Sequence, residues 1–237
     1  MLKNLSIKKM LFASICFIIP LFFITQLIVL HYQYNNMIEI KKQELVHIVE
    51  TAHNILNYHH KLFKDGKLSE DEAKKTALSA ISLLRYDKDN YVFVNNYNYT
   101  ILLNPVRPEL QGTDSSNVKD SDGIYVTKTN VDNAKKGGDF LKYKWKKGKV
   151  ENVPKITYAK GFDEWQWAVG TGAYIDDIDD LYQKMRFVVY IIFFIGSIFA
   201  FALFLGIARL IVGKIAELNN VLKDISEGDG DLTRRID

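Results

Sequence analysis

Two stretches without a strong charge bracket the middle of this chain and limit every fold open to it. From Met10 to Ile38 there is no Asp, Glu, Lys or Arg. The segment LFASICFIIPLFFITQLIVL within it supplies the roughly twenty apolar residues that a bilayer core requires. A second run, FVVYIIFFIGSIFAFALFLGIA, covers Phe187 to Ala208. Residues 31–186 between them are polar and of ordinary domain length, which predicts transmembrane helices at 10–30 and 187–208 flanking one extracytoplasmic domain. A cleaved signal peptide is the competing reading of the first run, because Lys3, Lys8 and Lys9 form a basic leader. The HYQYNNM that follows has no small-x-small cleavage site, and the apolar stretch exceeds a normal signal core, so an uncleaved anchor is expected. Those lysines, with Arg209 and Lys214 after the second run, place residues 1–9 and 209–237 in the cytoplasm and the middle domain in the periplasm or outside the cell.

The single cysteine, Cys16, falls inside the first run, so the outer domain holds together without a disulfide and no cysteine pair exists for zinc or redox chemistry. Past the membrane the helical period continues. Ile38, Leu45, Ala52 and His59 recur at seven, with Ile48, Ile55 and Leu62 between them, until Lys64-Asp65-Gly66-Lys67 ends the helix. Ser69 with Glu72 forms a capping box, and Ala73, Ala77, Ile81 and Leu84 line one side of a second, shorter helix.

From Tyr91 the period becomes two. YVFVN and YTILL read as strands of a hairpin, TDSSNVKDSDG as a loop, and DFLKYKWKKG, PKITYAK and EWQWAVGTGAY as further strands before IDDIDDLYQKM returns to helical spacing. A long helix, a short helix and about five antiparallel strands make an α+β domain.

Several side chains are placed for anion binding. Lys142, Lys144 and Lys146 share one strand face as a solvated row, which turns Tyr143 and Trp145 inward, either as core or as hydrogen-bond donors to a ligand carboxylate. Lys155 opens an otherwise uncharged strand after Pro154. Exposed there, it is ordinary; buried, an ammonium must pair with an anion or shift its pKa. Tyr158 is its nearest hydroxyl, although strict alternation puts the two on opposite faces. Arg85 is either a second anion partner or a helix-end cation offsetting the dipole. Tyr91, Phe93 and Asn95 share a face, with Phe93 read chiefly as core and Asn95 needing a polar partner. Trp165 and Trp167 are read as core, while Gly170 and Gly172 on the opposite face permit close approach to the backbone.

The ordered series LLRYDKDNYVFVNNYNYTILLNP, ELQGTD, DSDG, GGDFLKYKW and PKITYAKGFDEWQWAVGTGAYIDDID resembles the single Cache family of bacterial sensor domains across about residues 40–182. ISEGDGDLTRRID resembles the end of a first HAMP helix and its connector, as in methyl-accepting chemotaxis receptors. The resemblance implies a PAS-like fold that binds a small carboxylate such as acetate, propionate, pyruvate or lactate. It also marks departures: Asn90-Tyr91 where the family often has Gly-Tyr, and Asn104-Pro105 where it often has His-Pro. Asn104 thus brings a neutral amide to the expected pocket.

Other chemistries find little support. Asp120, Asp122 and Gly123 look like part of an EF-hand loop, but the position for its bidentate Glu is Val131. Asp176, Asp177, Asp179 and Asp180 suit the first turn of a helix. His47, His53, His59 and His60 make no i, i+4 pair, so no metal is expected. Phosphate-binding, dinucleotide-binding and nucleophile-elbow motifs are absent, which argues against an enzyme and implies no cofactor. A net charge of +3 spread along the chain argues against nucleic acid. After the second run, Ile211, Ile215, Leu218, Leu222 and Ile225 form a seam of period 3.5 suited to a parallel homodimer. This segment has Gly213-Lys214 where the HAMP pattern has a proline. The expectation is therefore a dimeric chemoreceptor whose cytoplasmic signalling partners act through sequence beyond Asp237 or through another chain. A histidine kinase sensor, a diguanylate cyclase sensor and a ligand-free structural membrane protein are the alternatives.

Overall fold

A computed structural model describes residues 7–87 and 90–226. They fall into two compact units, Gln33–Tyr182 and the two flanking segments taken together. In chain order the elements are α1 (Ile7–Lys64), α2 (Glu70–Ser82), β1 (Arg85–Tyr86), β2 (Asn90–Asn96), β3 (Ile101–Leu103), a short 3-10 turn (Pro108–Leu110), α3 (Val126–Lys135), β4 (Asp139–Lys147), β5 (Val150–Phe162), β6 (Trp167–Tyr174) and α4 (Asp176–Ser226). The connector EGDGDLTRRID lies outside the described residues.

Within the flanking unit, α1 and α4 pack Phe23 against Phe193 at 4.1 Å between ring centroids. Most of their other large side chains are exposed, Phe17 at 70% and Phe199 at 65%. Both helices are long and apolar enough to cross a membrane. Pro20 lies inside α1, as spanning helices tolerate.

The other unit is an antiparallel sheet of order β1-β2-β6-β5-β4, with β3 pairing β2 off this path. Pleating divides its residues between two faces. One carries Val92, Val94, Trp167 and Val169, buried with Ala52, Leu56, Ala73, Ala77 and Ile81 of α1 and α2. Further along the same face, Ile156 and Ala173 pack with Leu45, Ile175 and Ile178. The capping box at α2 is formed: Ser69 accepts from the Glu72 amide, and the Glu72 carboxylate accepts from the Ser69 amide at 3.0 Å. Ser69→Ala is expected to cost the domain about 1 kcal/mol in urea unfolding; an unchanged midpoint would show that the cap is energetically idle.

Three details differ from the sequence expectation. Residues 126–135, to which patterning assigns no element, form α3, burying Val126, Asn130, Val131 and Ala134. Its Val, Thr and Asn content is poor for helix, so tertiary burial decides the conformation. The last strand begins at Trp167, because residues 163–166 make a tight turn with Gln166 at φ 54°. Trp165 still reaches the core from that turn, 4.9 Å from Trp167 and 5.3 Å from Phe162. Finally, β5 starts at Val150, so Lys155 sits well inside a strand and not at its end.

Candidate carboxylate-binding cavity

The second face of the sheet is floored by small residues. Ala168, Gly170 and Gly172 of β6 lie between β2 and β5, whose register sets Phe93 opposite Gly170 and Thr157 opposite Gly172. A Cβ at Gly170 would meet the Phe93 ring at 2.5 Å, and one at Gly172 would meet Lys155 Cε at 2.9 Å. These glycines let both side chains lie flat across β6. Above this floor, α3 and the loops around Asn104–Val118 enclose a cavity of about 300 Å³.

Seven residues singled out from sequence line it: Tyr91, Phe93, Asn95, Asn104, Tyr143, Trp145 and Lys155. Two lie elsewhere. Tyr158 is on the opposite face, its ring 4.9 Å from Phe140, because it stands an odd number of residues from Lys155 and β5 does not bulge between them. Arg85 belongs to β1, is exposed, and meets the Tyr91 ring at 6.0 Å outside the cavity.

Lys155 is 3% exposed and makes no ion pair among the described residues. Its ammonium rests over the rings of Tyr174 at 4.6 Å and Tyr91 at 5.0 Å, a cation–π setting that replaces little of its lost hydration. Burial pushes its pKa down to about 8. Tyr143 is its cross-strand partner on β4. Burial holds the Tyr143 phenol well above its ordinary range. Burial also raises Tyr91, partly countered by the charges of Arg107 and Arg85 and by a hydrogen bond from Asn104. Both phenols therefore stay protonated and able to donate.

The solvated lysine row is as the alternation implies: Lys142, Lys144 and Lys146 are exposed. Asp120 fastens the neighbouring loop, accepting from the backbone amides of Ile124 at 2.8 Å, Asp122 at 2.9 Å and Lys144 at 3.0 Å.

Arg107 and Asn130 were not legible as cavity residues. Arg107 is presented by a turn in which the Asn104 side-chain oxygen accepts from the amides of Val106 at 3.2 Å and Arg107 at 3.0 Å. The cue was an arginine held between Pro105 and Pro108. Asn130 comes from α3 and accepts from Thr157 Oγ1 at 2.8 Å. No local signal marks it, because it reaches the wall only through helix packing. Apolar side chains, among them Ile101, Leu103, Leu110, Val118 and Val126, complete the walls. Two cations, Lys155 and Arg107, with protonated phenols and apolar walls suit the carboxylate of a small molecule with a short apolar tail.

The profile of the Single Cache domain 2 family matches residues 37–187. The methyl-accepting chemotaxis protein McpP of Pseudomonas putida is 30% identical over the whole chain, which spans 44% of that protein. The sensor histidine kinase MctS of Rhizobium johnstonii is 32% identical over 60% of this chain and 31% of its own length. The chain thus spans less than half of either relative. A solved structure described as the basis for carboxylic acid recognition by a Cache chemosensory domain is 33% identical, with a TM-score of 0.56, over 60% of this chain and 97% of that one. With its helix-backed antiparallel sheet and a profile match over most of its length, this chain belongs to the Single Cache domain 2 family.

Proposed function

We propose that this chain is the sensory part of a transmembrane chemoreceptor that binds a small monocarboxylate, with Lys155 pairing the carboxylate and Tyr91 and Tyr143 donating to it. The observation that carries this reading is a buried ammonium on the cavity wall with no carboxylate partner among the described residues. Residues 31–186 then lie outside the cytoplasm between spans at 10–30 and 187–208, with 1–9 and the HAMP-like 209–237 inside. The chain works as a homodimer, through the outer part of α1 and the seam that includes Ile215, Leu218 and Leu222. The likeness to a histidine kinase sensor supports a second reading of the output, with the same sensing chemistry.

Signal transfer follows from chain connectivity. Tyr174, which touches the Lys155 ammonium, closes β6 two residues before α4 begins at Asp176. A ligand that neutralises Lys155 changes what Tyr174 contacts and favours one packing of the α4 start. The size of that shift is bounded by the ligand's differential affinity for the two packings.

The primary test is the melting temperature of a 31–186 fragment against two- to four-carbon acids, with amines and amino acids as controls. Binding to the native state alone raises the midpoint with concentration. Flat curves from a folded, ligand-free fragment would remove the monocarboxylate reading. A pH series tests Lys155 itself. Only its protonated form pairs with a carboxylate, so affinity is expected to be level below about pH 8 and to fall about tenfold per unit above it, with proton uptake on binding. Affinity that stays constant to pH 9.5 would exclude Lys155 as the partner.

A further inference from the structure

A second, more basic cavity of about 240 Å³ abuts the first, lined by Arg85, Arg107, Lys146 and Lys147 with Tyr91, Trp145 and Tyr174. Among the described residues, no acidic side chain lines it. Of its cations, Lys146 pairs with Glu151 at 2.9 Å and Lys147 with Asp176 at 2.8 Å. Arg85 and Arg107 make no ion pair among the described residues.

Tyr91, Trp145 and Arg107 line both cavities, and Tyr174 joins the outer wall. Tyr91 meets Lys155 at 5.0 Å and Arg85 at 6.0 Å, while Tyr174 meets Lys155 at 4.6 Å and Lys147 at 5.3 Å. Arg85 and Lys155 thus meet at the Tyr91 ring, and Arg107 lines the cavities on both sides of it; none of the three has a carboxylate partner among the described residues. Each ring quadrupole is shared between two of the cavity cations, which leaves their mutual repulsion only partly offset.

We infer that the outer cavity is a second anion site, selective for a small doubly charged oxyanion, and that it is filled independently of the monocarboxylate site behind the rings. Two guanidiniums present planar donor forks suited to an oxyanion, and Lys147 adds a point charge. A dianion matches the two unpaired arginines in charge, which a monocarboxylate does not. It also competes with Asp176 for Lys147, so occupancy of this cavity bears on the first residue of α4.

The test uses the full chain in detergent micelles, titrated with sulfate at constant ionic strength set by chloride, with and without saturating propionate. Expected are sulfate binding that persists in the presence of propionate, and a loss of about tenfold or more in sulfate affinity for Arg85→Gln and for Lys147→Gln. Lys155→Met should retain sulfate binding. Strict competition between sulfate and propionate, or loss of sulfate binding in Lys155→Met, would overturn the inference by placing both anions in the inner cavity. Sulfate no better than chloride would overturn it as well. Sulfate binding that depends on Arg85 in a protein that ignores propionate would uphold the outer site while removing the monocarboxylate reading.

Discussion

Replacing Lys155 with Met is expected to make the ligand-free domain more stable while lowering monocarboxylate affinity about a hundredfold or more. The affinity loss reflects removal of a charge-assisted contact worth about 3 kcal/mol in a desolvated site. The stability gain has the opposite origin. Burial lowers the Lys155 pKa to about 8 from the 10.5 of a solvated lysine, so keeping the ammonium in the folded state at pH 7 costs on the order of 3 kcal/mol. Met fills a similar volume without that cost, though it forfeits the contacts with Tyr91 and Tyr174, leaving a net gain of about 1–3 kcal/mol.

The pH dependence gives the sign. With its folded pKa below its unfolded one, Lys155 binds more protons in the unfolded chain between about pH 8 and the unfolded value. The penalty is therefore full below about pH 8 and is relieved as pH rises through that window. Urea unfolding of both proteins from pH 7 to 10 should show the variant's advantage shrinking above pH 8. A variant less stable than the parent at pH 7 would mean that Lys155 is structural, and the assignment of a ligand-pairing role would lose its main support.

Gly172→Val is expected to destabilise the domain by about 3 kcal/mol and to remove carboxylate binding together. A Cβ at this position would overlap Thr157 Cγ2 and come within 2.9 Å of both the Ile156 carbonyl oxygen and Lys155 Cε. Lys155 can swing away, but the carbonyl belongs to the β5–β6 ladder, where Thr157 faces Gly172, so the clash must be relieved by moving a central strand. The branched side chain would also occupy the space that the Lys155 stem crosses. Unfolding midpoint and propionate titration on the same sample separate the two effects. Normal binding in a folded Gly172→Val protein would show that the lysine reaches its ligand by another route.

Position along a strand and position in the cavity were legible to different degrees. Alternation in FLKYKWKKG correctly divides exposed Lys142, Lys144 and Lys146 from buried Tyr143 and half-buried Trp145, because pleating forces neighbours apart whatever lies around them. The same rule disfavours Tyr158 beside Lys155, and the unbulged register of β5 keeps them apart. Arg85 was readable as a cation near an anion site but not as one outside the inner cavity. Its place depends on the two-residue pairing of β1 with β2.

Elements whose cause is local could be read from the residues alone. Two apolar runs of membrane length, the capping box at Ser69 and Glu72, and the change of period at Tyr91 each follow from contacts within a few residues or from the solvent each face prefers. Tertiary packing was needed to bring Lys155, Tyr91 and Tyr174, from three neighbouring strands, into one cluster, to lay Phe93 and Lys155 across the β6 glycines, and to close the cavity with α3 and Arg107. The reason is physical: burial of Lys155 depends on which chain segments cover it, and those segments come from loops and a weak helix whose conformation is stabilised by packing rather than by their own propensity.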